Sequence, residues 1–338
     1  MRKFFFVLLL LMQVGFAEEV MLSETSRYWK FHNWAAVGYR YDRQHFNEFT
    51  GNTHSMNSRL SIFSRSSPFL TIGNHSEYKN VLAIIRGSYG WLGYGRVTYN
   101  LPGNYGAEPL FFNDFKDDSG YSAEGRGSLS YIFDLTDSLS DFLVSLIPGV
   151  GYAYFHLSDY PAGVHTATIP SGASSLSAGT SGFANSSFTH SMVQDWFGPY
   201  FEGRVLFRFM QNTQIEFFYQ YHLPSLRMVN RIQINTYLFN PASTLTEVQL
   251  QKYHNVVHGN ALRSQLGGFD FRYHGAKAFT FGLHMEGTST WSHTNRYHVR
   301  QTQQQYVTTP GTTVSTFNNR MAIHWVNYMT YAYVGYRF

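Results

Sequence analysis

The chain has 338 residues, a formal net charge of +4 and only 14% charged residues, where a soluble domain carries roughly a quarter. Tyr (25), Phe (30) and Gly (29) are abundant, and the lack of cysteine excludes disulfides and thiolate-bound metal. The modest, diffuse charge offers no nucleic-acid-binding surface, and a mean hydropathy of −0.26 argues against a helical membrane protein.

In chain order, Met1-Arg2-Lys3 is a short basic region, Phe4 to Met12 is an apolar run, and small residues at Gly15 and Ala17 precede Glu18. This pattern predicts a signal peptide over 1–17, with an uncleaved helical anchor as the alternative. Residues 18–338 then form a single domain. The longest later apolar stretch, 142–157, is interrupted by Ser145, Pro148 and Gly149, so nothing there reaches the ~20 residues of a spanning helix.

Period-two alternation recurs along the rest of the chain, as expected of strands whose side chains alternate between faces. In 30–42, Phe31, Ala35, Val37, Tyr39 and Tyr41 oppose Lys30, His32, Arg40 and Asp42. In 200–209, Phe201, Val205, Phe207 and Phe209 oppose Glu202, Arg204 and Arg208. In 214–223, Ile215, Phe217, Tyr219, Tyr221 and Leu223 oppose Gln214, Glu216, Gln220 and His222. Segment 267–274 sets Phe269, Phe271 and Tyr273 against Asp270, Arg272 and His274; segment 278–287 sets Phe279, Phe281, Leu283 and Met285 against Thr280, His284 and Glu286. Few charges, many aromatics and this alternation predict an all-β transmembrane antiparallel up-and-down β-barrel. A soluble β-sandwich with a wet outer face is the alternative.

Short connectors near 92–93, 136–141, 211–212 and 275–277 alternate with long Ser-, Thr-, Asn-, Gly- and His-rich ones near 44–79, 102–122, 158–195, 224–262 and 298–320. Long outer loops and short periplasmic turns alternate in this way in outer-membrane barrels. The spacing predicts ten strands, roughly 28–43, 80–91, 94–101, 123–135, 142–157, 196–210, 213–223, 263–274, 278–297 and 321–338. Segment 55–65 also alternates and is read as an extension of the first hairpin, with twelve strands as the alternative.

The polar faces place Arg40, Asp42, Glu124, Arg126, Glu202, Arg204, Arg208, Glu216, Asp270, Arg272, His284 and Glu286 toward the lumen. Two readings stay open: a network of ion pairs filling a narrow barrel, or a weakly selective pore whose charged rings steer small solutes. At the chain end, Phe338, Tyr336, Val334, Ala332, Thr330 and Tyr328 form a lipid-facing stripe, with Arg337, Gly335, Tyr333, Tyr331 and Asn327 facing inward. That pattern resembles the C-terminal signature recognised by the barrel-assembly machinery.

Three other motifs read as ordinary structure. His254-x-x-x-His258 has metal spacing only on a helix and falls in an expected loop. The Gly-rich 87–95 lacks a Gly-Lys-Ser/Thr and reads as a periplasmic turn, and the low-complexity 171–187 reads as an outer loop.

Several patches resemble the omptin family: "AIIRGSYGW" (83–91), "FNDFKDDSG" (112–120), "SLIPGVGYAYFHLSD" (145–159) and the closing "YVGYRF". The resemblance implies a ten-stranded barrel rising above the outer membrane. It would also imply proteolysis by an Asp pair and an Asp–His pair. Here the Asp-x-Asp position falls at Asn113-Asp114-Phe115, with Asp117 and Asp118 nearby, and the segment after Leu223 holds no acidic residue before Glu247. A water-activating His lacks its orienting carboxylate there. The segment "WVNYMTYAYVGYRF" also resembles porin-type outer-membrane proteins of chlamydia-like symbionts. The resulting expectation is a non-enzymatic barrel in the outer membrane of a Gram-negative cell: a narrow porin-like channel for small solutes, or a structural barrel. A surface adhesin acting through long loops is the alternative, and an omptin-like protease the third. Expected partners are outer-membrane lipid and lipopolysaccharide, the barrel-assembly machinery and small solutes, with no cofactor.

Overall fold

The computed structural model describes residues 29–49, 56–93, 95–100, 111–115, 120–136, 142–159, 165–168, 184–209, 212–239, 245–259, 262–275, 278–305 and 311–337. The expected signal peptide, Asp117, Asp118, Phe338 and most of 171–187 lie outside these residues.

Ten strands form the wall: β1 (Trp29–Phe49), β2 (Met56–Tyr78), β3 (Val81–Leu92), β6 (Gly120–Tyr131), β8 (Phe142–Asp159), β10 (Ala184–Phe209), β11 (Thr213–His222), β14 (Arg263–His274), β15 (Phe279–Gln305) and β16 (Gly311–Arg337). Each pairs antiparallel with its neighbours, β16 returns to β1, and β8 pairs β10 to close the ring. Further out, β4 (Gly95–Asn100) continues β3, β5 (Phe111–Phe115) leads toward β6, and β9 (His165–Thr168) pairs β10. β12 (Ser225–Phe239) continues β11, and β13 (Leu245–Gly259) leads into β14. The short β7 (Phe133–Asp134) pairs the periplasmic end of β8. The fold is a closed, ten-stranded antiparallel barrel.

The register fixes its girth. From Ala36, successive partners Thr71, Ser88, Glu124 and Phe155 lead one way round to Trp196. The other way, Tyr333, Gly282, Arg272 and Gln214 lead to Arg208, twelve residues further along the same strand. With ten strands and that stagger, the strands tilt about 40° and the backbone cylinder has a radius of about 10 Å. Long side chains from opposite walls meet inside a cylinder of that size.

The outward face carries an apolar belt that includes Val37 (64% exposed), Ile85, Leu129, Val150, Phe201, Phe217, Phe281 and Leu283. Trp91 and Tyr121 edge it toward the outside, and Tyr131, Phe142, Phe279 and Tyr336 toward the periplasmic end. On β16 the outward run from Tyr336 to Val326 spans eleven residues, the length of a tilted strand crossing a hydrocarbon core. At His324 the outward face turns polar, and Arg227, Arg231, His254, His258 and Arg263 are exposed on neighbouring strands.

The interior changes in the opposite sense. Beyond the belt, Phe46, Leu157, Met192, Leu226, Met228, Val257, Met321 and Ile323 pack into an apolar cluster inside the barrel. Amphipathicity therefore inverts along the barrel axis: apolar outside and polar inside at membrane level, apolar inside and polar outside above it. The water-surrounded extension is an ordinary hydrophobic-core β-structure.

Several expectations are corrected. Segment 56–78, read as extended loop, is a full wall strand, and 80–91 and 94–101 are one path rather than two strands. The first periplasmic turn is at Lys79–Asn80, where Lys79 takes φ 53, and Leu92–Gly93 lies high in the wall. The expected long loops at 158–195, 224–262 and 298–320 contain strand at 184–195, 225–239, 245–259, 298–305 and 311–320. The exposed positions described there include Arg227, Arg231, His254 and His258, so the lipid-type alternation disappears while the ladder continues. The Gly-rich 87–95 belongs to this wall path rather than to a turn. His254 and His258 sit on β13, about 13 Å apart along an extended strand, too far to share a metal.

Candidate functional site: the filled lumen

The inward positions at membrane level bring the charged residues into one connected network. Arg40 donates through Nε and a terminal nitrogen to both Asp42 oxygens at 2.9 Å, and its guanidinium lies over the Phe155 ring at 4.3 Å. Trp325 Nε1 donates to Asp42 Oδ1 at 2.9 Å. Arg40 also approaches Glu124 at 3.9 Å, and Arg126 pairs with Glu124. Arg86 then bridges the lumen: one terminal nitrogen reaches Glu124 at 3.1 Å, and both reach Glu286 at 3.1 Å.

Glu286 additionally accepts from Arg126 at 3.0 Å and faces His284 Nε2 at 3.0 Å. The His284 ring is stacked between Phe218 and Tyr331, and its Nδ1 lies 3.1 Å from Asp270. Tyr333 donates its hydroxyl to Asp270 at 2.7 Å, and Arg272 links Asp270 to Glu216 at 3.0 Å. Arg204 pairs with Glu216 and, at 2.8 Å, with Glu202, which accepts from Ser130 and Gln220. The chain of contacts from Asp42 to Glu202 thus draws on β1, β3, β6, β15, β14, β11 and β10. Buried arginines and carboxylates at such sites are held by mutual hydrogen bonds, and any one left alone would carry a large desolvation cost.

Glycines make room for the large rings. A Cβ on Gly282 would lie 2.0 Å from the Tyr333 ring, and one on Gly151 would lie 2.3 Å from that of Tyr200. The void left among the network residues is about 50 Å³, and a second of about 60 Å³ lies between Arg40, His222 and Trp325. Each holds a few waters and neither a sugar nor an amino acid. Above them lies the buried apolar cluster of Phe46, Met192 and Met228, beside the Gln44–Gln194 hydrogen bond of 3.0 Å.

Of the residues singled out in the sequence, Arg40, Asp42, Glu124, Arg126, Glu202, Arg204, Glu216, Asp270, Arg272, His284 and Glu286 meet in this network, while Arg208 sits lower, toward the periplasmic end, outside it. Tyr336 and Val334 are exposed on the outward stripe. Sequence reasoning missed Arg86, the residue with most partners, because Leu82 and Ile84 at the preceding inward positions are apolar and hide the alternation. It also missed the inward Trp325 and the whole upper apolar cluster. Asp114 lies on β5 with its backbone opposite Arg96. Outside the lumen, His156 Nδ1 lies 2.7 Å from Asp195 Oδ1, to which Tyr154 also donates; this Asp–His pair is on the outward wall.

No protein-family profile matches the sequence, and no curated protein does. Among solved structures, the chain is similar to the outer membrane protease OmpT from Escherichia coli, with a TM-score of 0.58 at 10% identity, over 91% of this chain and 97% of that one. It is also matched to the P. putida toluene transporter TodX, at a TM-score of 0.29 and 10% identity, over 92% and 90% of the two chains. The likeness to OmpT is one of fold, and this chain is an omptin-like, ten-stranded antiparallel β-barrel of the outer-membrane type.

Proposed function

We propose that the protein is a structural barrel of a Gram-negative outer membrane whose lumen is closed, and which holds a rigid extension above the cell surface. The observation that carries this reading is the connected ion-pair network from Asp42 to Glu202, capped by an apolar core. The apolar belt supports the membrane setting, and strands of 27 residues in β15 and β16 support the extension, since crossing takes about eleven. Lipid and lipopolysaccharide around the belt, and the barrel-assembly machinery acting on Val334, Tyr336 and Phe338, are the partners of this reading. Proteoliposomes carrying the folded barrel are expected to take up no labelled amino acids or small sugars; uptake above empty liposomes would overturn a closed lumen.

A second reading, slow passage of small solutes, is favoured by the two voids, each holding a few waters, that Arg126 lines. It requires the network to open. The extension also gives a surface adhesin its natural platform. Omptin-like proteolysis has only the shared fold in its support.

A further inference from the structure

Below the network, the periplasmic end of the lumen gathers arginine, histidine and tryptophan nitrogens, four of them without a hydrogen-bond partner among the described residues. Arg337, His32 and His75 follow one another in a single cross-strand row on β16, β1 and β2. His274, one row away, meets His32 edge to face, with ring centroids 6.4 Å apart. Arg272, Arg337 and Arg208 are all within electrostatic reach of His274. The half-buried Arg208 at this end of the lumen calls for a counter-charge.

Among the described residues, the nearby carboxylates do not provide it. Asp270 is already engaged by Arg272, His284 and Tyr333, and Glu77 pairs with Lys30 at 3.1 Å. Among the described residues, neither Arg208 nor Arg337 makes an ion pair. Four buried nitrogens in this region also lack hydrogen-bond partners: His32 Nε2, His274 Nε2, Trp34 Nε1 and Arg208 Nε. His32 is more than nine-tenths buried. Buried polar atoms are almost always paired, and a group of donors left open together marks the place of an acceptor.

We propose that the periplasmic mouth of the lumen binds a small oxyanion, a phosphate or carboxylate group, between Arg208, Arg337 and the His32–His274 pair. Guanidinium groups and imidazole N–H donors match the oxygens of such a group, and its charge offsets the unpaired arginines. The site does not depend on whether the lumen conducts. The anion could be a soluble periplasmic one or the headgroup of an anionic lipid in the inner leaflet.

The test is calorimetric titration of inorganic phosphate into the full-length barrel in phosphatidylcholine nanodiscs. Saturable binding at one site in the millimolar range or tighter is expected. Arg208→Gln together with Arg337→Gln should weaken it about tenfold or more, while Arg227→Gln on the outer face leaves it unchanged. Heat-modifiable migration on gels verifies that each variant is folded. Nanodiscs containing phosphatidylglycerol separate the sources: weaker phosphate binding there identifies a lipid headgroup, and unchanged binding a soluble anion. No saturable binding to the folded wild type, or binding undiminished in the double variant, would overturn the proposal and leave these donors to water.

Discussion

Arg86 on β3 and Glu286 on β15 meet across the lumen, two guanidinium nitrogens against two carboxylate oxygens at 3.1 Å each. The two strands are not neighbours: β2, β1 and β16 lie between them on the wall. The pair therefore ties opposite sides of the cylinder together, and Arg126 and His284 share the same carboxylate.

Removing one member of this pair leaves the other buried without its counter-charge. Arg86→Leu is expected to cost about 3–5 kcal/mol in urea unfolding in detergent micelles. The double variant Arg86→Leu/Glu286→Leu should cost less than the sum of the singles, because neither charge is stranded. Additive costs would show that the two groups do not act together.

Gly282 is small because Tyr333 lies over it. Gly282→Ala should displace the tyrosine from Asp270 and destabilise by about 1–3 kcal/mol, measured in the same unfolding assay. An unchanged midpoint would mean that the ring does not pack there.

The inversion of faces makes a contrast between two outward positions. Val37→Arg, in the belt, should cost about 2–4 kcal/mol when unfolding is followed in lipid bilayers, and His324→Arg, above it, about 0–1 kcal/mol. Equal costs would misplace the membrane boundary. In the upper core, Met228→Ala should cost about 2–5 kcal/mol, as for a fully buried side chain of any soluble protein.

The membrane-level half of the barrel was legible because lipid and lumen impose opposite demands on alternate residues. Phe217 and Phe271 point out where Glu216 and Arg272 point in, and the sequence shows it directly. The upper half was not. There Met192 and Met228 face in and Arg227 faces water, a weaker pattern in a Ser- and Asn-rich stretch that reads as loop. The sequence pattern and the barrel agree on ten strands because two differences offset each other: 56–78 is a wall strand that reads as loop, and the single path through β3 and β4 reads as two strands. The charged network was legible as a list of inward residues, yet its connections depend on which strands lie opposite, and period two carries no information on that. Arg86 shows the difference, since its importance comes from Glu286, 200 positions away.

Planar-bilayer recording on the purified, folded wild-type barrel addresses the closed lumen most directly. With the Asp42-to-Glu202 network and the apolar core above it in place, membranes should stay electrically silent at high protein loading. Reproducible stepwise conductance, absent from heat-unfolded controls, would contradict a closed lumen and establish a path through the network.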